Sequence, residues 1–512
     1  MAAAVIALRL RPGDAVAVVG ASAPAGTDLQ VGDMVVRVTE DVPAGHKVAV
    51  ADVPAGGEVR KYGQVIGLAT RPIAAGQHVH SHNLAFAPVG HDYAFCADLD
   101  AARLGAAASP ATFEGILRSD GRVATRNYIG ILTTVNCSAT VAKMVAGRFH
   151  KELGLLDEFA LVDGVVALTH GSGCGMAGSG EGFELLRRTL AGYAAHPNFA
   201  GIVVLGLGCE VNQVRSLTED FGPDVTAPVV AMTIQGSGGT RSTVEEATRA
   251  VLEMAEQAND VHRVAVPASR LVVGLECGGS DGYSGITANP ALGAAADLVV
   301  QQGGTVVLGE TPEIYGAEHL LTRRATTPEV GKRLVERIRW WESYVSALGA
   351  SLDNNPSPGN KEGGLTTILE KSLGAVAKAG SSPLTAVYEY AQHVGTAGFV
   401  FMDTPGYDPV SVTGMVAGGA NVICFTTGRG SVFGSKPAPC LKLATNSAMY
   451  RRMEDDMDVN CGAILDGETT VATLGEEIFR KVLEVASGRP SKSEALGFGE
   501  EEFTPWQIGA VL

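Results

Sequence analysis

Residues 271–290, LVVGLECGGSDGYSGITANP, decide how this chain is read. They open on an apolar, β-branched run, 271–275, short enough to be a strand buried on both faces. The run stops at Glu276-Cys277. It breaks into a loop with Gly278, Gly279, Gly282 and Gly285, and with Ser280, Asp281, Ser284, Thr287 and Asn289 between them. A helix over 290–302 is predicted next, with Asn289 as N-cap and Pro290 at its first position. A second apolar run, 305–308, ends near Glu310. Strand, glycine-rich loop, helix, strand is a βαβ unit. Its acids and thiol fall at the strand ends, where open α/β sheets bind ligands.

At 512 residues the chain exceeds what one core can organise, so two to four domains are expected. It is 46% apolar and 18% charged with 65 glycines, which suits a loop-rich α/β protein. The net charge is 39 − 55 = −16, which argues against nucleic acid and anionic membrane surfaces as partners. An anionic substrate stays open, because local Arg and Lys can dominate a pocket. The N-terminal apolar run lacks a basic flank and is not read as a signal peptide. No apolar stretch is long enough to span a bilayer, and a cytoplasmic location is expected. Eight cysteines in such a chain are read as buried thiols, metal ligands or nucleophiles, not as a disulfide framework.

Outward from 271–290, the chain divides by pattern. Residues 1–88 carry short β-like runs with turn residues every eight to twelve positions, the signature of a small all-β unit. This part ends in GQHVHSHN, whose His78, His80 and His82 would share one face of a strand. The competing readings are a solvated strand edge and a metal or anion site. Residues 89–113 have no clean period and read as a linker with at most one short helix, Cys96 being a packed small hydrophobe. Residues 114–266 read as a middle α/β part and 267–512 as a second one.

Five apolar runs end in reactive side chains: Cys137, His170 with Cys174 just beyond, Cys209-Glu210, Glu276-Cys277 and Glu310. In one parallel sheet these ends would share an edge. Thiolate, imidazole and carboxylate together suit a transition metal better than Ca²⁺ or Mg²⁺. Iron is the expected metal, as mononuclear Fe(II) or as an iron–sulfur cluster held by cysteines, with Mn(II) as an alternative. The competing reading is that strand-end cysteines only fill space, and no CxxC spacing is present. The loops GSGCGMAGSGEG and CGGSDGYSG match neither the dinucleotide fingerprint nor a P-loop. Their glycines let backbone N–H groups approach a small anionic ligand. Lys361, Lys371, Lys378 and Arg429 sit in or beside Gly/Ser/Thr loops and are candidates to bind a carboxylate, weighed against plain surface charge.

Together these motifs resemble one family. TVNC, HGSGC, GLGCE followed by NQ, LECGGSDGYSGITANP, NPSPGNKEGG, KAGSS, FTTGRGS and DVNCGAILDGE occur in the order found in the altronate/galactarate dehydratases. The likeness covers nearly the whole chain, including GHKVAVADVPAGGEVRKYGQVIG, which resembles a β-clip (SAF) domain. It implies an α/β multidomain architecture: the β-clip domain, a middle domain used in dimerisation, and a C-terminal Rossmann-like parallel α/β domain. It also implies a homodimer and iron-stimulated dehydration of a six-carbon sugar acid to a 2-keto-3-deoxy acid. HVHSHN is similar to the altronate enzymes, whereas LTRRATTPEVGKRLVERIRWWESY is closer to the galactarate type. Split forms of the family act as sulfolactate sulfo-lyases. The fused chain here favours the sugar-acid reading.

The mechanism so implied needs charge stabilisation when the weak carbon acid beside the carboxylate loses its proton. The metal is expected on a subset of Cys137, Cys174, Cys209 and Cys277, with Glu210 and Glu310. His80, His82, His170 and Lys361 are the candidate catalytic residues. Asn136, Asn212, Gln213, Ser280, Asp281, Asn289, Lys378 and Arg429 are candidates for holding substrate. A non-catalytic sugar-acid sensor is the reading from another class, and oxidation-sensitive strand-end thiols argue against it.

Overall fold

The computed structural model describes residues 5–88, 90, 92–104 and 109–508. The largest sheet has seven parallel strands in the order Leu384–Tyr388, Gly398–Met402, Thr305–Leu308, Val272–Cys277, Val422–Thr427, Cys440–Ala444 and Val459–Asn460. Val272–Cys277 is central, as its unbroken apolar run requires. Helices Ala288–Gln301 and Val471–Ala486 pack on one face. Asp408–Ala417 covers the other, together with Glu181–Ala194 from the middle part. Loops leaving the C-terminal strand ends therefore gather at one rim.

The helix after residue 277 begins at Ala288, behind Thr287, and no side chain caps it. Asn289 is thus not the cap. It lies in the first turn, where Nδ2 donates to Gly374 O (2.9 Å) and Oδ1 accepts from Thr426 Oγ1 (2.7 Å). Cross-loop hydrogen bonds outweigh the local capping preference here.

A second parallel sheet has four strands, in the order Gly164–Leu168, Tyr128–Thr133, Phe199–Gly206 and Val229–Thr233. The five apolar runs therefore end on two rims, not on one. Cys137, His170, Cys174, Cys209 and Glu210 follow strands of the four-stranded sheet. Cys277 and Glu310 follow strands of the seven-stranded one. The predicted single edge fails because Thr112–Leu117, Val123–Ala124 and Arg263–Pro267 form a separate antiparallel sheet where the chain enters and leaves the middle part.

Residues 5–88 are all-β, with a six-stranded and a three-stranded sheet. Asp28–Val31 and Glu58–Lys61 alternate exposed and buried side chains, whereas Val16–Val19 is buried throughout. This part docks on the C-terminal one through ions that no water reaches. Lys47 Nζ and Lys61 Nζ lie 2.9 and 2.8 Å from the two carboxylate oxygens of Glu370, on helix Ile368–Ala375. In the intervening segment, Cys96 packs against the main core, and Ala101–Leu104 is one turn of 3₁₀-helix.

Candidate active site

The C-terminal rim of the seven-stranded sheet holds a buried cluster of ionisable groups. Glu276 and Cys277 end the central strand, and Glu310 and Glu313 follow the next. Lys371 and Lys378 come from the helical stretch 368–379, and Asp408 starts the helix Asp408–Ala417. Lys378 Nζ donates to Cys277 Sγ (2.9 Å) and to Glu310 Oε2 (2.8 Å). Lys371 Nζ donates to Glu313 Oε1 (2.7 Å) and Asn355 Oδ1 (2.6 Å). Ser411 Oγ donates to Glu276 Oε2 (2.7 Å). Glu276 Oε1 and Glu310 Oε1 are buried with no such donor.

Backbone geometry serves this cluster. Glu310 sits at φ +63°, a left-handed conformation that costs a non-glycine residue roughly 1–2 kcal/mol. Such strain is retained where it places a functional side chain. A Cβ on Gly278 would collide with the Asp408 carboxylate. Glycine there lets the loop after the strand pass directly over the cluster.

Burial pushes the Glu276 carboxyl well above its ordinary range, and the neighbouring Glu310 charge pushes it further. Burial is the largest influence on Glu310 and acts in the same sense, but Lys378, the hydrogen bond with Glu276 and Lys371 together outweigh it and hold Glu310 below its usual value. The pair therefore carries one proton, on Glu276. Cys277 is kept as a thiol by burial and by Glu310. Burial and the charges of Glu310 and Glu313 raise Asp408 to about 7. Perturbed groups cluster at functional sites, which makes this buried set at the ligand-binding rim of the sheet a candidate for one.

Cys277, Glu310 and Glu313 offer ligand atoms within 4.8 Å of one another, and so do Glu276, Glu310 and Asp408. Carboxylates with one sulfur fit Fe(II) or Mn(II). A cation drawn to the two carboxyl oxygens without a separate donor would displace the proton that the pair shares.

Above the cluster lies a cleft of about 760 Å³, lined by His46, His80, Asp353, Asn354, Pro356, Pro358, Lys361 and Glu362. The partition is the segment 353–356. Asn354 and Pro356 face the cleft, while Asn355 reaches down to Lys371 and to Glu313 (2.8 Å). The all-β part supplies the imidazoles. His80 Nε2 lies 2.9 Å from Lys361 O, and His46 Nε2 lies 3.1 Å from Glu362 O. Only His78–Val79 is strand, so His80 and His82 leave it in a turn and do not share a strand face with His78. The rings still gather: His46, His78, His80 and His82 make centroid contacts of 5.0–5.4 Å. Burial, with mutual repulsion at His78, lowers His78 to about 3 and His80 to about 4. Arg429 Nη2 pairs with Glu362 (3.2 Å) at the mouth.

Other predicted residues build walls. Asp281 is buried and accepts from Thr445 Oγ1, Ser284 Oγ, Tyr283 N and Asn446 Nδ2. Ser280 O accepts from Asn360 Nδ2 (2.9 Å). Both fix the glycine loop and leave little free for a ligand. On the other sheet, His170 spends both ring nitrogens on backbone: Nε2 with Thr133 O (2.9 Å), and Nδ1 accepting from Ser172 N (3.2 Å). It has no nitrogen left for catalysis. Glu210 accepts from Thr134 Oγ1 (2.6 Å), Gly208 N (2.7 Å) and Leu207 N (3.2 Å), so it closes its own loop, and it is not among the described groups that converge as metal ligands. Asn136, Asn212 and Gln213 likewise donate to His170 O, Thr134 O and Glu210 O.

Sequence reasoning missed Glu313, Glu370, Lys47, Lys61 and His46. Glu313 stood three residues after Glu310, an available signal. The others are ordinary charged residues whose burial only the docked domains reveal.

Comparison with known proteins places the chain in a family. Residues 5–87 match the altronate/galactarate dehydratase SAF domain. Residues 115–259 match the D-galactarate dehydratase/altronate hydrolase second domain, and 268–511 the D-galactarate/altronate dehydratase C-terminal domain. The chain is 39% identical to galactarate dehydratase (L-threo-forming) of Escherichia coli strain K12, over 88% of this chain and 87% of the other. It is 35% identical to the altronate dehydratase of the same strain, over 95% and 96%. It is also 35% identical to that of Bacillus subtilis strain 168, over 91% and 92%. This chain is thus a hydro-lyase of the galactarate/altronate dehydratase family.

Proposed function

We propose that this enzyme removes water from a six-carbon sugar acid to give a 2-keto-3-deoxy acid, with a divalent iron at the buried rim cluster. The observation that carries the reading is the carboxyl pair Glu276–Glu310: buried, sharing one proton, each with an undonated oxygen, beside Lys378. Glu276, Glu310 and Asp408 would hold the ion, with Cys277 and Glu313 on the other side of Glu310. A bound ion would supply positive charge against the negative charge that builds on a substrate carboxylate reaching past segment 353–356.

The chain's own groups do the rest. Lys378, locked between Glu310 and Cys277, places a fixed positive charge in a dry site, where it acts most strongly. His80 is neutral at neutral pH because its pKa is held low. Its Nε2–H donates to Lys361 O, so Nδ1 is the basic atom, covered by Ser81 Oγ at 3.0 Å until substrate displaces the hydroxyl. That atom is the candidate to take the proton beside the substrate carboxylate. Lys361 and Arg429 hold the far end of the sugar acid. An altronate-type hexonate is the first substrate reading, carried by the histidine run, of which His80 lines the cleft beside His46. A hexarate is the second, favoured by the 39% identity to the galactarate enzyme.

The test is turnover on a panel of hexonates and hexarates, under anaerobic conditions with Fe(II), read as keto-acid formation. One substrate class should turn over, and chelation should abolish it. Full activity after complete metal removal would overturn the metal part, and binding without turnover across the panel would overturn the enzyme reading.

A further inference from the structure

The rim of the four-stranded sheet carries three thiols that the chemistry above does not use. Cys137, Cys174 and Cys209 follow three adjacent parallel strands, with Tyr128–Thr133 in the middle. All three are exposed, whereas Cys277, Cys424, Cys440 and Cys461 are buried. Cysteine is among the residues most often buried, so three exposed on one rim are not there to pack.

The loops bearing them are tied to one another. Asn136 N donates to Ser172 O (2.9 Å), and Val211 N donates to Cys174 O (3.0 Å). Asn136 Nδ2 donates to His170 O (3.2 Å), Asn212 Nδ2 to Thr134 O (3.1 Å), and Glu210 clamps Thr134. The polar residues around the thiols are thus committed to fixing the backbone that presents them. Such a supporting layer is what a preorganised ligand set needs. Helix Ala139–Gly147 starts two residues after Cys137. Its N-cap Ser138 turns its hydroxyl to Val135 O and Leu205 O and leaves the first-turn amides without a side-chain acceptor. Those amides favour negative charge at this rim.

We infer that Cys137, Cys174 and Cys209 together hold an iron–sulfur cluster, separate from the carboxylate site. Thiolates are the ligands that select such clusters. The three sulfurs are not among the described groups whose ligand atoms close to within 4.8 Å of one another. Three sulfurs not closed to that distance do not all ligate one bare ion, and the adjacent loops that carry them leave a polynuclear group as the ligand shared by all three. A cubane cluster held by three thiolates keeps one iron corner open to a non-protein ligand. The inference does not depend on the sugar-acid reading.

The experiment is anaerobic purification of the full chain, followed by iron and acid-labile sulfide analysis, visible absorption and electron paramagnetic resonance after reduction. Iron and sulfide are expected in similar amounts, with a broad sulfide-to-iron band. Cys137→Ser, Cys174→Ser and Cys209→Ser should each lose most of the sulfide and the band while unfolding at the temperature of the unloaded wild type. Cys461→Ala, a buried thiol remote from this rim in sequence, should retain both. Absence of labile sulfide after anaerobic reconstitution with iron and sulfide would overturn the assignment. So would a single zinc bound at the three thiols, or a band that survives all three serine variants. Keto-acid formation measured on the same samples separates this outcome from failure of the dehydratase reading.

Discussion

Lys378 shows what single residues contribute. Its ammonium is buried against a thiol and a carboxylate. Replacing it by methionine leaves Glu310 without its nearest cation in a dry site, a change that costs about 3–5 kcal/mol where one partner of a buried pair is removed. Lys378→Met is therefore expected to lower the urea midpoint and to reduce turnover by at least about 100-fold, the scale of losing one preorganised electrostatic partner. Near-normal turnover by the folded variant would show that Lys378 only balances charge. Much at this scale was legible beforehand. Cys277 and Glu310 stand at strand ends that already pointed to chemistry, whereas Lys378, read as a loop lysine for a substrate carboxylate, instead pairs with these two residues. His170 and Glu210 occupy equally suggestive positions, yet they serve backbone. A one-dimensional reading sees that a side chain is polar and near a strand end. It does not see that the ring nitrogens of His170 and both carboxylate oxygens of Glu210 are already engaged in holding loops.

At the scale of elements, the docking of the all-β part decides whether the cleft exists. Glu370, on helix Ile368–Ala375, is held ionised by Lys47 and Lys61 from two strands of that part, which overcome the effect of burial. Glu370→Ala strands two lysines in the interface, and a loss of about 3 kcal/mol is expected. It should appear as faster hydrogen exchange in residues 45–66 and 364–371, with little change in the four-stranded sheet. Uniform acceleration throughout would mean that the domains do not separate locally. The histidines make the same interface sensitive to acid. His78 and His80 lie below the ordinary imidazole value of 6.5, at about 3 and about 4, chiefly through burial. An undocked state binds more protons than the docked one between pH 4 and 6.5. Docking is therefore strongest above 6.5 and weakens as pH falls through that window. Proteolysis of the 45–82 region should rise between pH 7 and 5, and a His78→Asn/His80→Asn double variant should flatten the rise. The histidine run was visible in the sequence as an unusual pattern. Its partner His46 was not, because their proximity comes from strand pairing of Lys47–Ala49 with His78–Val79.

For the whole molecule, two parallel sheets replace the one that the apolar runs suggested, and this separates two kinds of metal chemistry. The carboxylate rim, with four acids, one thiol and two lysines, suits a hard divalent ion, and the thiol rim suits iron with sulfide. A divalent ion that binds only the folded carboxylate site stabilises the protein by mass action, by about 2.7 kcal/mol at one hundred times its dissociation constant. Mn(II), which resists air oxidation, is the convenient probe. It should raise the melting temperature of the metal-stripped wild type, with the shift growing with the logarithm of concentration. Glu276→Gln and Glu310→Gln should abolish the shift, since each removes a ligand from the pair sharing one proton. Cys137→Ser should keep it, because that thiol stands on the other sheet. An equal shift in all four proteins would place Mn(II) elsewhere. A shift lost only in Cys137→Ser would move the divalent site to the thiol rim and leave the buried carboxyl pair as a proton store beside Lys378.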